Sequence, residues 1–454
     1  MPAAAAHAVS FEVTTRNDRF AEECPVGDCS LREAVHAANF TPGTDRIVLP
    51  SRKRYQLSAM DSGFDYTSGD LDVLKDPLKV VHPGPGHATI DFNPAGDGLP
   101  DPLDRIFEVH PDAPLTLEKV RLTDGGDPSG SPDGGAIRAL DDVTLKHSAV
   151  VGNEAPGNGG GIFTVAGASL TVSNSVVARN VALRGGGIEH STEGSPGVLV
   201  IRRSTISGNQ ALGGDGGGIY VDTLANTIAS ITDSTVADNR ATGFGGGLFA
   251  RSAELEVTDS TFSENRAGAS GGGMAIWGPQ FSWLRNSTVA GNRANWSGGG
   301  IVVSDSQVSM NAVTVARNHA ESEGLVPNGG GVFAYGSSNV VATNSLFALN
   351  TTRFDGVLIK NDCEGEAPFQ SRGHNLLSTK KLCSGFDRAG DRINARPGIG
   401  PLRPNGGATE TIALAVQSPA IDRADASDAP ESDQRGRRRH DPDIGAFERT
   451  PSDS

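Results

Sequence analysis

No stretch of the chain approaches the roughly 20 consecutive apolar residues needed to cross a bilayer, so no transmembrane segment is expected. Aromatic residues are scarce, at 5%, and hydrophobic residues reach only 37%. The chain nevertheless lacks the charge density and low complexity of a disordered protein. Basic character is also missing. The net charge is −15 and the pI is near 5.1, which argues against broad nucleic-acid binding and against adsorption to anionic membranes. The largest basic run is Arg435, Arg437, Arg438 and Arg439, flanked by Asp433, Asp441 and Asp443. It reads as a solvated, internally paired loop, with a phosphate or acidic-glycan contact as the alternative. Cysteine is rare, with four in 454 residues. None forms a Cys-x-x-Cys, and neither local set has His at zinc spacing. No nucleotide loop or Ser/His/Asp constellation is present.

What the chain does have is glycine, 59 of it, and it is periodic. A Gly-rich triplet followed by an aliphatic residue ends at Ile137, Ile162, Ile188, Ile219, Leu248, Met274, Ile301 and Val332. The spacing is 25 to 31 residues. Asparagine keeps step at Asn153, Asn180, Asn209, Asn239, Asn265, Asn292, Asn318 and Asn350. Three residues before each Asn sits an aliphatic or Phe, from Val150 to Phe347. Pairs such as Val143/Leu145 and Leu255/Val257 lie ten and eight residues before it. Each unit thus holds three short alternating segments, and alternation with period two means strand. Helix is excluded, because each Gly costs about 1 kcal/mol inside one. Length alone would suggest about three domains, but a repeat overrides that prior. The fold expected is a single-domain, all-β, right-handed parallel β-helix solenoid with three strands per coil. Aliphatic ladders and an inward Asn ladder should form its core. Weaker coil strands are expected at Leu78–Val81, Ala88–Asp91, Ile106–Val109 and Leu115–Leu117, and Val357–Ile359 should begin another.

The ends need covers, since an open solenoid would polymerise edge to edge. Ser30 and Glu33 form a capping box opening a short helix within residues 29–40, whose apolar face is Leu31, Ala34, Val35 and Ala38. Cys24 with Cys29, and Cys363 with Cys383, suit two disulfides stapling the irregular ends in an oxidising compartment. Residues 1–8 read as a leader remnant or flexible tail, because Ala6-His7-Ala8 has the Ala-x-Ala form of a signal-peptidase site. The remaining divisions are an N-terminal cap over 9–60, coils over 61–360 and a C-terminal coil and cap over 361–454.

Cys29-Ser30-Leu31-Arg32-Glu33-Ala34 resembles the CSLREA motif of bacterial exported β-helix proteins. Ser418-Pro419-Ala420-Ile421-Asp422, Gln434-Arg435-Gly436 and Asp443-Ile444-Gly445-Ala446-Phe447-Glu448 resemble the choice-of-anchor Q segment, which Cys363 and Cys383 around Gly373-His374-Asn375-Leu376-Leu377 also fit. The repeat is similar to those of chlamydial polymorphic outer-membrane proteins and pectate-lyase-like folds. Members often continue into a cell-surface sorting signal, whereas six residues follow Glu448 here. The resemblance implies an exported protein, secreted or at the cell surface. It implies no reaction, because fold does not fix function.

The repeat phase points to candidate sites. In each post-glycine strand the first and third residues should face inward and the second and fourth outward. Six of the few aromatics fall on that outward stripe: Phe163, Tyr220, Phe249, Trp277, Phe333 and Tyr335. They could stack on an elongated glycan, or the chain itself could cover them. Glu189 and Asp222 should lie on adjacent coils roughly 8 Å apart, a separation that suits inverting glycoside hydrolysis. Arg251 could bind a uronate or serve as a lyase base. The bland alternative is an Asp222–Arg251 surface pair, with His190 a satisfied core residue. Asp233 and Asp259 stack at equivalent turns and are candidates for calcium; otherwise no cofactor is expected. Thr205, Thr235, Thr261, Thr288 and Thr314 form a second outward column, which reflects β propensity or a flat face for ice or crystalline polysaccharide. The leading expectation is a monomeric, non-catalytic protein that binds or adheres to polysaccharide or cell-envelope glycan. The alternatives are a polysaccharide lyase or glycoside hydrolase, and a structural envelope protein.

Overall fold

The computed structural model describes residues 8–21, 23–51, 54–58, 69–92, 104–126, 132–192, 195–223, 228–322, 328–366, 368–451 and 453. The leader expected over 1–8 therefore lies outside the described residues apart from Ala8. The fold is a parallel β-solenoid, as the repeat dictates. The chain divides into two compact units, residues 1–200 and 201–454.

In each unit, a coil runs from a first strand after the glycines, through a second and third strand, back to the next glycines. One coil of residues 1–200 uses Ile162–Thr164, Leu170–Ser173 and Val176–Ala178. Equivalent strands pair in parallel without slippage: Val143 sits on Leu170 and Leu145 on Val172, and Ile137 sits on Ile162. The weaker N-terminal strands take their expected places, at Leu78–Val81, Ala88–Phe92, Phe107–Val109 and Leu115–Glu118. In residues 201–454 the first strands are Ile219–Asp222, Leu248–Arg251, Met274–Trp277, Ile301–Ser304, Val332–Tyr335 and Cys363–Gly365. Leu248, Met274, Ile301 and Val332 stack in register and are fully buried.

Each glycine of a triplet has its own reason. Gly245 adopts φ +65°, a region costly for residues with a Cβ. A Cβ on Gly246 would lie 2.5 Å from the Gly272 carbonyl oxygen of the next coil. On Gly247 it would lie 3.0 Å from the Asn265 side chain.

That Asn belongs to the expected inner ladder. In residues 201–454 the backbone N–H and Nδ2 of Asn209 both donate to Oδ1 of Asn239. The same pattern repeats through Asn265, Asn292, Asn318 and Asn350. The spare Nδ2 hydrogen goes to a core carbonyl, as from Asn265 to Val236 at 2.9 Å. The last rung is Asp362, which accepts from Asn350 Nδ2 at 3.0 Å. A carboxylate only accepts, so it ends the ladder; its other oxygen takes Ser378 Oγ at 2.7 Å. Burial pushes the Asp362 carboxyl up to about 6.

Two features depart from the expected coil. A fourth, short strand follows the Asn in most coils: Val181–Ala182 in the first unit, and Gln210–Ala211, Arg240–Ala241, Arg266–Ala267, Arg293–Ala294, His319–Ser322 and Thr351–Phe354 in the second. Most of these are two residues long, too short to display a period. Val357–Lys360 does not begin another coil. It folds back antiparallel on Thr351–Phe354, because Asp355 and Gly356 both take positive φ, the geometry of a tight hairpin turn.

The N-terminal helix forms over Leu31–Asn39 with the expected capping box. Ser30 Oγ accepts from Glu33 N at 3.1 Å, and Glu33 Oε2 accepts from Ser30 N at 2.7 Å. Arg32 is 2% exposed. It donates to both Asp18 oxygens at 2.9 Å and to Gly69 O at 2.8 Å. Asn39 binds Asp72 O and Leu74 N, so the helix docks on the strand Leu71–Val73. Both expected disulfides are present, Cys24–Cys29 and Cys363–Cys383.

Candidate functional site

The first-strand stripe is not the open surface its phase suggested. Tyr220 and Phe249 are 2% and 1% exposed, and they stack with ring centroids 5.2 Å apart. They join Ala275 and Val302 in a buried cluster, with Phe244, Trp277, Phe333 and Tyr335 half-buried against it. Phe244 is the cover. It comes from the turn before the next glycine triplet, is held by Asp215 accepting from its N–H at 2.7 Å, and packs 4.6 Å from Trp277. Phe163, in the first unit, is buried as well. The chain covers much of its own stripe.

The carboxylates each meet an arginine. Glu189 has no exposure and receives Arg184 Nε at 3.1 Å and Nη2 at 2.5 Å. Asp222 is bound in a fork by Arg251, whose Nε lies 3.0 Å from Oδ1 while Nη2 donates to Oδ2. Tyr220 adds its hydroxyl at 3.3 Å. The structure thus brings Asp222, Arg251 and Tyr220 together. His190 is buried as expected, with Nδ1 2.7 Å from Thr164 Oγ1; burial pulls its pKa down to about 4.

The second-strand face carries aromatics that the first-strand phase did not reveal. Along Phe281–Arg285, Ser282 and Leu284 point in while Phe281, Trp283 and Arg285 point out. Phe281 and Trp283 are 52% and 40% exposed, and their rings stack at 6.0 Å, tilted by 20°. Trp283 borders a groove of about 480 Å³ lined also by Glu256, Arg285, Ser309, Arg372 and Asp428. Glu256, Trp283 and Ser309 are register partners on three successive coils. The signal was available in the alternation Phe-Ser-Trp-Leu-Arg, which places large apolar groups on the wrong face for a core.

The threonine column divides. Thr205 and Thr235 remain half-buried, whereas Thr261, Thr288 and Thr314 are buried under the C-terminal segment. Thr261 Oγ1 donates to Glu410 O, and Thr288 Oγ1 donates to Gln434 Oε1, both at 2.6 Å. Gln434 Nε2 donates to Thr261 and Thr409 Oγ1 at 2.8 Å. Ala446 N donates to Thr314 Oγ1 at 2.9 Å. The column is therefore no continuous flat outer face. Gln434 and Ala446, which fall among the residues that resembled the choice-of-anchor Q segment, supply part of the cover, and Glu410 supplies the rest.

The basic run divides: Arg435 and Arg439 are buried and paired, Arg437 is half-buried on Asp453, and Arg438 is exposed. Arg435 binds Asp433 at 2.8 Å and Asp453 at 3.0 Å, with its guanidinium 3.6 Å from the Phe447 ring centre. Arg439 lies 3.4 Å from Glu448. Burial outweighs their attraction: it pushes Glu448 up to about 7 and lowers Arg439.

Among the described residues, no group of three or more His, Cys, Asp or Glu side chains converges on a metal-sized site. Burial and the repulsion of Asp233 push Asp259 up to about 6. Among the described residues no helix is long and apolar enough to cross a membrane.

A family described as "Right handed beta helix region" matches residues 179–289 and 217–364. No curated protein matches the chain. Among solved structures, the chain is similar to one titled "Crystal structure of pectate lyase Pel9A", at 14% identity and a TM-score of 0.45 over 98% of each chain.

Proposed function

We propose that this chain is a non-catalytic, exported β-helix protein that binds polysaccharide. One observation carries the reading: Phe281 and Trp283 present stacked, exposed rings beside a polar groove. Exposed apolar surface of this kind marks interaction sites. The apolar faces of pyranose rings stack on such side chains, while the flanking Glu256, Ser309 and Arg372 supply hydrogen-bond partners for hydroxyls. Two disulfides support an oxidising destination.

The test is a polysaccharide panel read by affinity electrophoresis and calorimetry. Binding by the wild type, weakened at least tenfold in Trp283→Ala with unchanged melting, supports the reading; tenfold corresponds to about 1.4 kcal/mol. Binding unaffected by Trp283→Ala and Phe281→Ala would remove the assignment. Depolymerisation lost in Asp222→Asn would return the function to a lyase or hydrolase built on Asp222 and Arg251. An absence of binding to any glycan would leave the structural envelope role.

A further inference from the structure

The fourth strands of residues 201–454 stack one cation above another. Arg240 pairs in register with Arg266, and Arg266 with Arg293. Each alternates with a buried alanine, Ala241, Ala267 or Ala294, so each arginine faces solvent. Neighbouring strands lie about 4.8 Å apart. Among the described residues none of the three guanidiniums has a carboxylate within ion-pair distance, although the chain carries a net charge of −15.

The row ends where its charge is neutralised. The next rung, His319, lies 3.0 Å from Glu321, which also pairs with Arg353 at 3.3 Å. The nearest acids along the chain are Asp238 and Glu264, two residues before Arg240 and Arg266. Both stand on turns of positive φ, and Glu264 lies over Gly291. A cavity of about 590 Å³ continues the row past Arg293 to Arg317 and His319.

Like charges placed directly opposite each other on a sheet are destabilising, and β propensity alone would favour threonine here, as on the third strand. A row of unpaired arginines is therefore a cost to the fold with no internal return. Arginine is also the side chain that grips carboxylate or sulfate through two parallel hydrogen bonds.

We propose that Arg240, Arg266 and Arg293 form a linear anion-binding strip for an acidic polysaccharide laid along the stacking direction, one carboxylate or sulfate to each guanidinium. This rests on the glycan-binding reading but uses a different face from Phe281 and Trp283.

The experiment measures binding of the full chain to polygalacturonate, dextran sulfate, neutral dextran and duplex DNA across a salt series. The variants are the triple Arg240→Gln, Arg266→Gln, Arg293→Gln and the single Arg266→Glu. Expected is binding to polygalacturonate, dextran sulfate or both, which identifies the anion. It should fall at least tenfold in the triple variant and also in Arg266→Glu, with melting unchanged. The slope of log affinity against log salt should shrink by about two to three in the triple variant. Equal binding of an acidic glycan by wild type and triple variant would overturn the strip while leaving aromatic glycan binding intact. DNA bound as tightly as the glycans would overturn it in favour of a general polyanion site. No binding to any acidic glycan would also overturn it, and the loss of all glycan binding would remove the broader reading too.

Discussion

The third and fourth strands of the same coils carry two outward columns with opposite fates. Thr261, Thr288 and Thr314 are sealed beneath Gln434, Glu410 and Ala446. Arg266 and Arg293, a few residues further along the chain, stay open. Both columns are regular ladders on the outer surface of a solenoid. They differ in whether the chain supplies their complement. Threonine hydroxyls are met by an amide and backbone groups that return from the C-terminal segment. The guanidiniums would need an anion: Asp238 and Glu264 stand on turns of positive φ, and Glu321 is taken by His319 and Arg353. A covered ladder belongs to the fold, and an uncovered one is available for a ligand.

The largest effect should come from striking the core beneath both columns. Asn265→Ala removes the two bonds donated by its Nδ2 and the acceptor of both the backbone N–H and Nδ2 of Asn239. It should cost about 3–5 kcal/mol, because buried partners are left unsatisfied; urea unfolding measures it, and an effect under 1 kcal/mol would show that the ladder is decoration. Gln434→Ala breaks only the sealed side. A loss of about 2–4 kcal/mol is expected from its buried amide bonds, and hydrogen exchange should quicken at Thr261, Thr288 and Thr314 but not at Arg266 or Arg293.

The seal should also respond to pH. Burial raises Glu448 to about 7, Asp259 to about 6 and Asp443 in the same direction. Groups with raised folded values stabilise fully below their unfolded values, and that contribution is lost as pH rises through the folded ones. Melting should therefore fall by a few degrees between pH 5 and pH 8, and the drop should shrink in Glu448→Gln. The smallest effect on stability belongs to the open column: Arg266→Gln should change it by no more than about 0.5 kcal/mol. A larger loss would mean that the arginine stems pack as part of the fold.

Much of this molecule is legible in the sequence because its rules are local and repeated. The Gly triplets, the Asn and the alternating aliphatics fixed coil phase and register, since a one-residue slip would turn every core residue outward. The capping box, Arg32's helix and both disulfides were readable from residues near each other in the chain. The fourth strand was not, because two residues cannot show a period. The Val357–Lys360 hairpin was missed because an apolar run looks the same whether it continues a coil or folds back; Asp355-Gly356 was the cue. Phe281 and Trp283 were visible as a period-two pattern but lay outside the phase taken to be the outer stripe.

The inside of the solenoid was thus determined by the sequence alone, together with which residues would face out. Tertiary structure decided which outward faces remain outside. Phe244 closes over Tyr220 and Phe249 from a neighbouring turn, and Gln434 reaches Thr288 and Thr261 across 146 and 173 residues of chain. No repeat encodes such a return, because covering depends on where a distant, non-repeating segment finds partners for its polar groups.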